Sequence, residues 1–82
     1  MTHKVKLLSA FYEPVIEGRK PFEIRYNDRD YKKGDGIMFQ EWNGNSYTGR
    51  YAIGFIKDVF DISFLFTDYV AFTFELLDHF EV

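Results

Sequence analysis

The 82-residue chain contains no cysteine, which removes disulfides, thiolate–metal sites and cysteine nucleophiles together. Histidine is scarce too, at His3 and His79 only. Two imidazoles without a thiolate make a poor ligand set, so neither a metal nor any other cofactor is expected. Long hydrophobic runs are also missing: no stretch approaches the ~18 apolar residues that a membrane span requires. The opening "MTHKVKLLSAFYE" carries no apolar leader segment, so a cytoplasmic protein with no membrane partner is expected. Low-complexity runs are absent and 46% of residues are hydrophobic, which argues against disorder. Positive charge is short in one half only. Residues 34–82 hold two Lys/Arg against eight acids, net −6, while residues 1–33 hold eight against five, net +3.

An acidic total of −3 argues against tight, nonspecific binding to long nucleic acid, which needs many phosphate contacts. A local basic site is compatible with it. What the chain has in excess is aromatic: ten Phe, six Tyr and one Trp, or 21%. At this length one domain over residues 1–82 is expected, and it buries only roughly 60–65% of its unfolded surface. So small a core does not hide that many rings completely; they fit an aromatic-rich core with a few half-buried Tyr, or alternatively a stacking surface or an interface with a protein partner or a second copy.

Hydrophobic patterning predicts several short strands around one helix. "HKVKLL" alternates weakly, with Val5 and Leu7 opposite Lys4 and Lys6. Ser9 reads as the N-cap of a helix over about 9–17, closed by Gly18 and limited by Pro14 to about two turns or a kink. "PFEIRYN" reads as a strand with Phe22, Ile24 and Tyr26 inward and Glu23 and Arg25 outward. "IMFQEW" and "YTGRYAIGFIKDVF" flank an "NGN" hairpin turn, with Gly49 and Gly54 marking bulges or close backbone approach. "DISFLFTD" fits a loop, a helical turn or an extra strand. "YVAFTFELL" alternates clearly, with Val70, Phe72, Phe74 and Leu76 inward. The expected core is Phe22, Ile24, Ile37, Phe39, Ile53, Phe55, Val70, Phe72 and Phe74, and the class is α+β, a small barrel.

The ordered string Gly18-x-Lys20-x-x-Glu23-x-Arg25, Asn27-Asp28-Arg29-Asp30 and Gly34-Asp35, with His3 before it and Tyr47-Thr48-Gly49-Arg50 after, resembles the ASCH/PUA-like superfamily. It is most similar to a small, functionally unassigned branch common in bacteriophage and bacterial genomes. The resemblance implies a PUA-like pseudo-barrel of five or six mostly antiparallel strands, with a cleft between the helix and the sheet. It further implies RNA or nucleotide binding in that cleft. In a few members of the superfamily it implies hydrolysis of an acylated cytidine nucleoside, with a lysine in the Gly-x-Lys turn and a threonine three residues later as proposed nucleophile. Here Lys20 matches, whereas Glu23 stands in the threonine's place.

Lys20, Glu23 and Arg25 are therefore the expected centre of a ligand site, joined by His3, Tyr26 and Arg29. Arg25 offers a planar fork for phosphate or a base edge, and a carboxylate such as Glu23 can accept from an exocyclic amine. Tyr26, Tyr31 and Trp42 are candidates to stack on a base. Binding without catalysis is the expectation; if the protein is an enzyme, Lys20 and Glu23 are the candidates. A protein-interaction module built on the exposed aromatics is the reading from a different class.

Overall fold

The structure is a computed structural model that describes residues 1–81. Its elements in order are β1 (Thr2–Leu8), α1 (Ser9–Ile16), β2 (Phe22–Tyr26), β3 (Gly36–Trp42), β4 (Tyr47–Asp61) and β5 (Tyr69–Phe80). The five strands form one curled half-barrel sheet in the order β1-β3-β4-β5-β2. Only β1 and β3 run parallel; the other neighbours are antiparallel. The sequence therefore begins at one edge of the sheet, at β1, and α1 carries it straight to the opposite edge, at β2.

α1 is the predicted two-turn helix, and it packs against β1 and β3, burying Tyr12 and Val15. Its start differs from expectation. Leu8, not Ser9, occupies the N-cap position, and no side chain caps the first turn. Ser9 is placed instead where its hydroxyl helps to hold the Glu41 carboxylate ionised. The end is as expected: Gly18 adopts φ +80°, a left-handed conformation that turns the chain at no Cβ cost. The Lys20 amide then bonds back to the Pro14 carbonyl at 3.0 Å, which sets the start of β2 against the helix.

β2 reverses the expected facing. Glu23 is buried, at 5% exposure, while Phe22, Ile24 and Tyr26 stand 44–52% exposed. Glu23 pairs with Phe72 and Arg25 with Val70 across the β2–β5 ladder, so the charged residues share the face of the β5 core residues. Alternation gave the period correctly and the side wrongly, because the inward carboxylate meets two cations and the apolar residues meet a cavity.

β4 differs in the same way. Ala52 and Ile56 are core and Gly54 is buried, whereas Ile53 and Phe55 are only half-buried. The register slips between Ile53 and Gly54. A Cβ at Gly54 would collide with the Glu75 backbone carbonyl, so the close approach expected there is real. Val5, Leu7, Tyr12, Val15, Tyr31, Ile37, Phe39, Val70, Phe72 and Phe74 complete the core. Phe39 meets Phe74 at a ring-centre distance of 4.9 Å, and Tyr31 meets Phe72 at 5.0 Å. Of the ambiguous segment 61–68, Asp61 ends β4 and 62–68 is a loop with two tight turns, one closed by the Leu65 and Phe66 amides on the Ile62 carbonyl and the next by the Tyr69 amide on the Phe66 carbonyl.

Candidate functional site

The two ends of the strand order, β1 and β2, share no ladder. They face one another across a seam that is bridged by a side chain: the Arg25 guanidinium donates to the Lys6 carbonyl. Over this seam lies a cavity of about 460 Å³, walled by β1 and the helix on one side and β2 on the other. Its apolar lining includes Leu8, Phe11, Phe22, Ile24 and Tyr69, and its charged lining is Lys6, Lys20, Glu23 and Arg25. The volume falls within the usual range of small-ligand sites.

The structure brings Lys20, Glu23 and Arg25 together at this cavity. Both carboxylate oxygens of Glu23 are engaged, Oε1 by the Lys20 ammonium and Oε2 by Arg25 Nε at 2.8 Å. Lys20 also lies 5.0 Å from the Phe11 ring centre and 5.2 Å from that of Phe22, and its ammonium donates to the Phe22 carbonyl. A lysine between two rings and a carboxylate has little freedom, so the wall of the cavity is pre-organised. Such an arrangement presents donors and ring edges to a ligand while each oxygen of its one carboxylate accepts from a cation.

Tyr26 lies at the cavity rim, half-exposed, with its ring edge-on to Tyr69 at 5.7 Å. Arg29 does not line this cavity. It lies in a second one, of about 390 Å³, with Lys4, Lys6, Arg25, Tyr26, Asp28, Tyr31 and Tyr47. His3 belongs to neither. It is 3% exposed, donates from Nε2 to the Asp35 carboxylate at 2.7 Å, and packs on the Tyr31 ring at 4.9 Å. That hydrogen bond holds the Asp35 carboxyl below its ordinary range. Trp42, another stacking candidate, carries the Lys6 ammonium 3.9 Å above its ring. Sequence reasoning missed Phe11, Lys6 and Tyr47 as site residues. The visible signal was the pair Lys4 and Lys6 on one outward strand face.

A second buried carboxylate, unexpected from sequence, lies at Glu41 on β3. Arg50 grips it with Nε and a terminal nitrogen, each at 2.7 Å, and Thr48 donates at 2.6 Å. Those hydrogen bonds, Arg50's first, pull the Glu41 pKa down to about 2. Arg50 reaches Glu13 and Glu81 as well and lies 4.6 Å over the Tyr12 ring. Burial, then the Glu81 charge, pushes the Tyr12 phenol up to about 12, and its hydroxyl is the one buried side-chain group without a partner among the described residues.

Among the described residues no cluster of His, Asp and Glu is arranged to hold a metal, and no helix is long and apolar enough to cross a membrane. Surplus aromatics surface at the cavity, through Phe11, Phe22 and Tyr26, on the 62–68 loop, through Phe64 and Phe66 beside Leu65, and also at Tyr47, Phe60 and Phe80.

The uncharacterized 12.9 kDa protein in the GpA 3′ region of Escherichia phage P2 is 41% identical to the chain over 68 residues. The match covers 83% of this chain and 62% of the phage protein, so the chain spans less than two thirds of that relative's length. Residues 2–74, which hold β1 through the first half of β5 and every residue of both cavities, match the family described as Domain of unknown function (DUF3850), and the chain belongs to that family.

Proposed function

We propose that the seam between β1 and β2 is a binding site for a nucleotide or short single-stranded RNA, and that it binds without turnover. The observation that carries this reading is the convergence, at the one unladdered seam of the sheet, of exposed apolar side chains with basic ones. Phe11, Phe22, Ile24 and Tyr26 stand 43–52% exposed around a cavity that Lys6, Lys20 and Arg25 also line. Rings left in water cost free energy that a stacked base recovers, at about 1–3 kcal/mol per base. The resemblance of the Gly18-to-Asp35 string to the ASCH/PUA-like superfamily supports the same reading, as does the helix lying beside the cavity.

Binding rather than hydrolysis is favoured by the state of Glu23. Acyl transfer needs a nucleophile and a base with a free lone pair. The cavity lining contains no Ser, Thr or Cys, and both Glu23 oxygens accept from fixed cations.

Titrating labelled protein with short RNAs, short DNAs and modified nucleosides tests the reading. The expected result is saturable binding, with NMR shifts concentrated at Phe11, Phe22, Ile24 and Tyr26. No binding at millimolar ligand overturns it and favours a protein partner on the 62–68 loop. Incubation with N4-acetylcytidine is expected to release no acetate; release that Lys20→Ala abolishes would overturn the non-catalytic half.

A further inference from the structure

We propose, resting on the reading above, that the cavity holding Arg29 is a phosphate subsite, so that the ligand is an oligonucleotide of at least two residues rather than a nucleoside. The two cavities share Lys6, Arg25 and Tyr26 as a common wall, yet their linings differ in kind. The first is mainly apolar and suits a base. The second brings four basic side chains, Lys4, Lys6, Arg25 and Arg29, against one acid, Asp28.

Three of these four cations have no carboxylate partner; Arg25 is the exception, paired with Glu23. Elsewhere Arg19, Lys20, Lys32 and Arg50 each meet a carboxylate within 4 Å, and Lys33 and Lys57, which meet none among the described residues, do not line this hollow. Lys4, Lys6 and Arg29 meet none among the described residues, although the chain has more acids than bases. Lys4 and Lys6 stand on the same face of β1, two residues apart, where like charges repel. Three unpaired cations gathered around one hollow, in a protein with carboxylates to spare, fit an anion supplied from outside.

The anion's chemistry follows from the neighbours. A phosphodiester beside a base places negative charge one sugar away from a ring, which matches a cationic hollow sharing a wall with an apolar one. Tyr47 lies at its rim, half-exposed, and supplies a ring for the next base. Arg25 is engaged by Glu23 through Nε and by the Lys6 carbonyl through Nη2, which leaves Nη1 for a linking phosphate at the boundary between the two subsites.

The experiment compares cytidine, cytidine 5′-monophosphate, the four ribo-homotetramers and base-free tripolyphosphate, by calorimetry at several salt concentrations. The best tetramer is expected to bind at least tenfold more tightly than cytidine and tripolyphosphate. Its log K should fall with log salt at a slope near −2, about 0.7 for each of three contacts. The double variant Lys4→Ser, Arg29→Ser alters only exposed side chains that line the second cavity and not the first. It should keep its thermal midpoint, retain cytidine binding, lose most of the tetramer's advantage, and bring the salt slope to about −0.7. Tetramers binding no better than cytidine, or a double variant with unchanged slope, overturns the subsite and leaves the base-binding reading standing. Tripolyphosphate binding as tightly as the tetramers overturns the two-part ligand. If neither cytidine nor any tetramer binds, both readings fail together.

Discussion

Two buried carboxylates, Glu23 and Glu41, are solved by opposite means. Glu23 is one anion between two cations, Lys20 and Arg25, at the wall of an open cavity. At Glu41 the proportions invert: one cation, Arg50, serves three carboxylates, those of Glu41, Glu13 and Glu81, and its guanidinium lies over Tyr12. The surplus cation faces a place where a ligand can enter. The surplus anion closes over the buried end of Tyr12 and joins α1, β3, β4 and the residue just past β5. The comparison separates a fixed clamp, which holds the fold, from a wall whose charge remains available.

Removing the hub of the clamp should have the largest effect. Arg50→Ala strips Glu41 of its strongest partner in a nearly dry site, and a loss of about 3–5 kcal/mol is expected in urea unfolding. Ligand affinity of the folded fraction should not change. A loss under about 1 kcal/mol would mean that water reaches Glu41 as readily as it reaches Glu23, and the contrast between the two would collapse.

Acid sharpens the same contrast. Glu41 has its folded pKa depressed to about 2 from an ordinary 4.5, so its contribution to stability is complete above pH 4.5 and is lost as pH falls toward 2. Asp35, depressed by its bond to His3, acts in the same direction. Thermal midpoints measured from pH 6 to pH 2 should fall steeply below pH 4.5. In Glu41→Gln the midpoint should be lower at neutrality and the acid limb flatter; an unchanged limb would assign the acid sensitivity elsewhere.

At the cavity wall the order of effects reverses, with function more sensitive than stability. Glu23→Gln leaves Lys20 and Arg25 without an anion, but both retain access to water at 20% and 24% side-chain exposure. A cost of about 1–3 kcal/mol is expected, together with tenfold or greater loss of oligonucleotide affinity as the two cations lose their fixed positions. Equal loss of stability at Glu23 and Glu41 would show that both are clamps. The smallest stability effect should come from Ile24→Ala. At 47% exposure this truncation should cost less than about 1 kcal/mol, while weakening ligand severalfold; a cost of 2 kcal/mol or more would restore Ile24 to the core.

The sequence disclosed the elements far better than their facing. β5 was legible because Val70, Phe72 and Phe74 alternate with less apolar neighbours, and the hairpin because Asn43 and Gly44 follow an apolar run. The side faced by β2 was not. Its alternation is equally clean in either orientation, and a buried Glu23 is tolerable because Arg25 and Lys20, the latter arriving from the helix end, both meet it. β4 hid its facing for another reason: "YAIGFI" is apolar at both parities, so the period carries no direction. The interior, already filled by Phe39, Phe72 and Tyr12, accepted the smaller set of Ala52, Gly54 and Ile56. Of the candidate site, the triad Lys20, Glu23 and Arg25 came from the string of charged residues, while His3 proved to belong to a packed pair with Asp35. Phe11 and Lys6 were unreadable as site residues, because what makes them so is a seam between two strands that are distant in sequence.

That seam carries a consequence for solubility. Each of its strands presents an unpaired backbone edge, and such edges recruit strands from other molecules. Here the two edges face each other, Arg25 occupies the Lys6 carbonyl, and lysines flank both sides. A protein with ten phenylalanines is thereby guarded against self-templated growth by the same charges that a ligand would neutralise. Filling the groove with a tightly bound polyanion removes the repulsion but also covers the edge, so the safeguard is exchanged rather than lost.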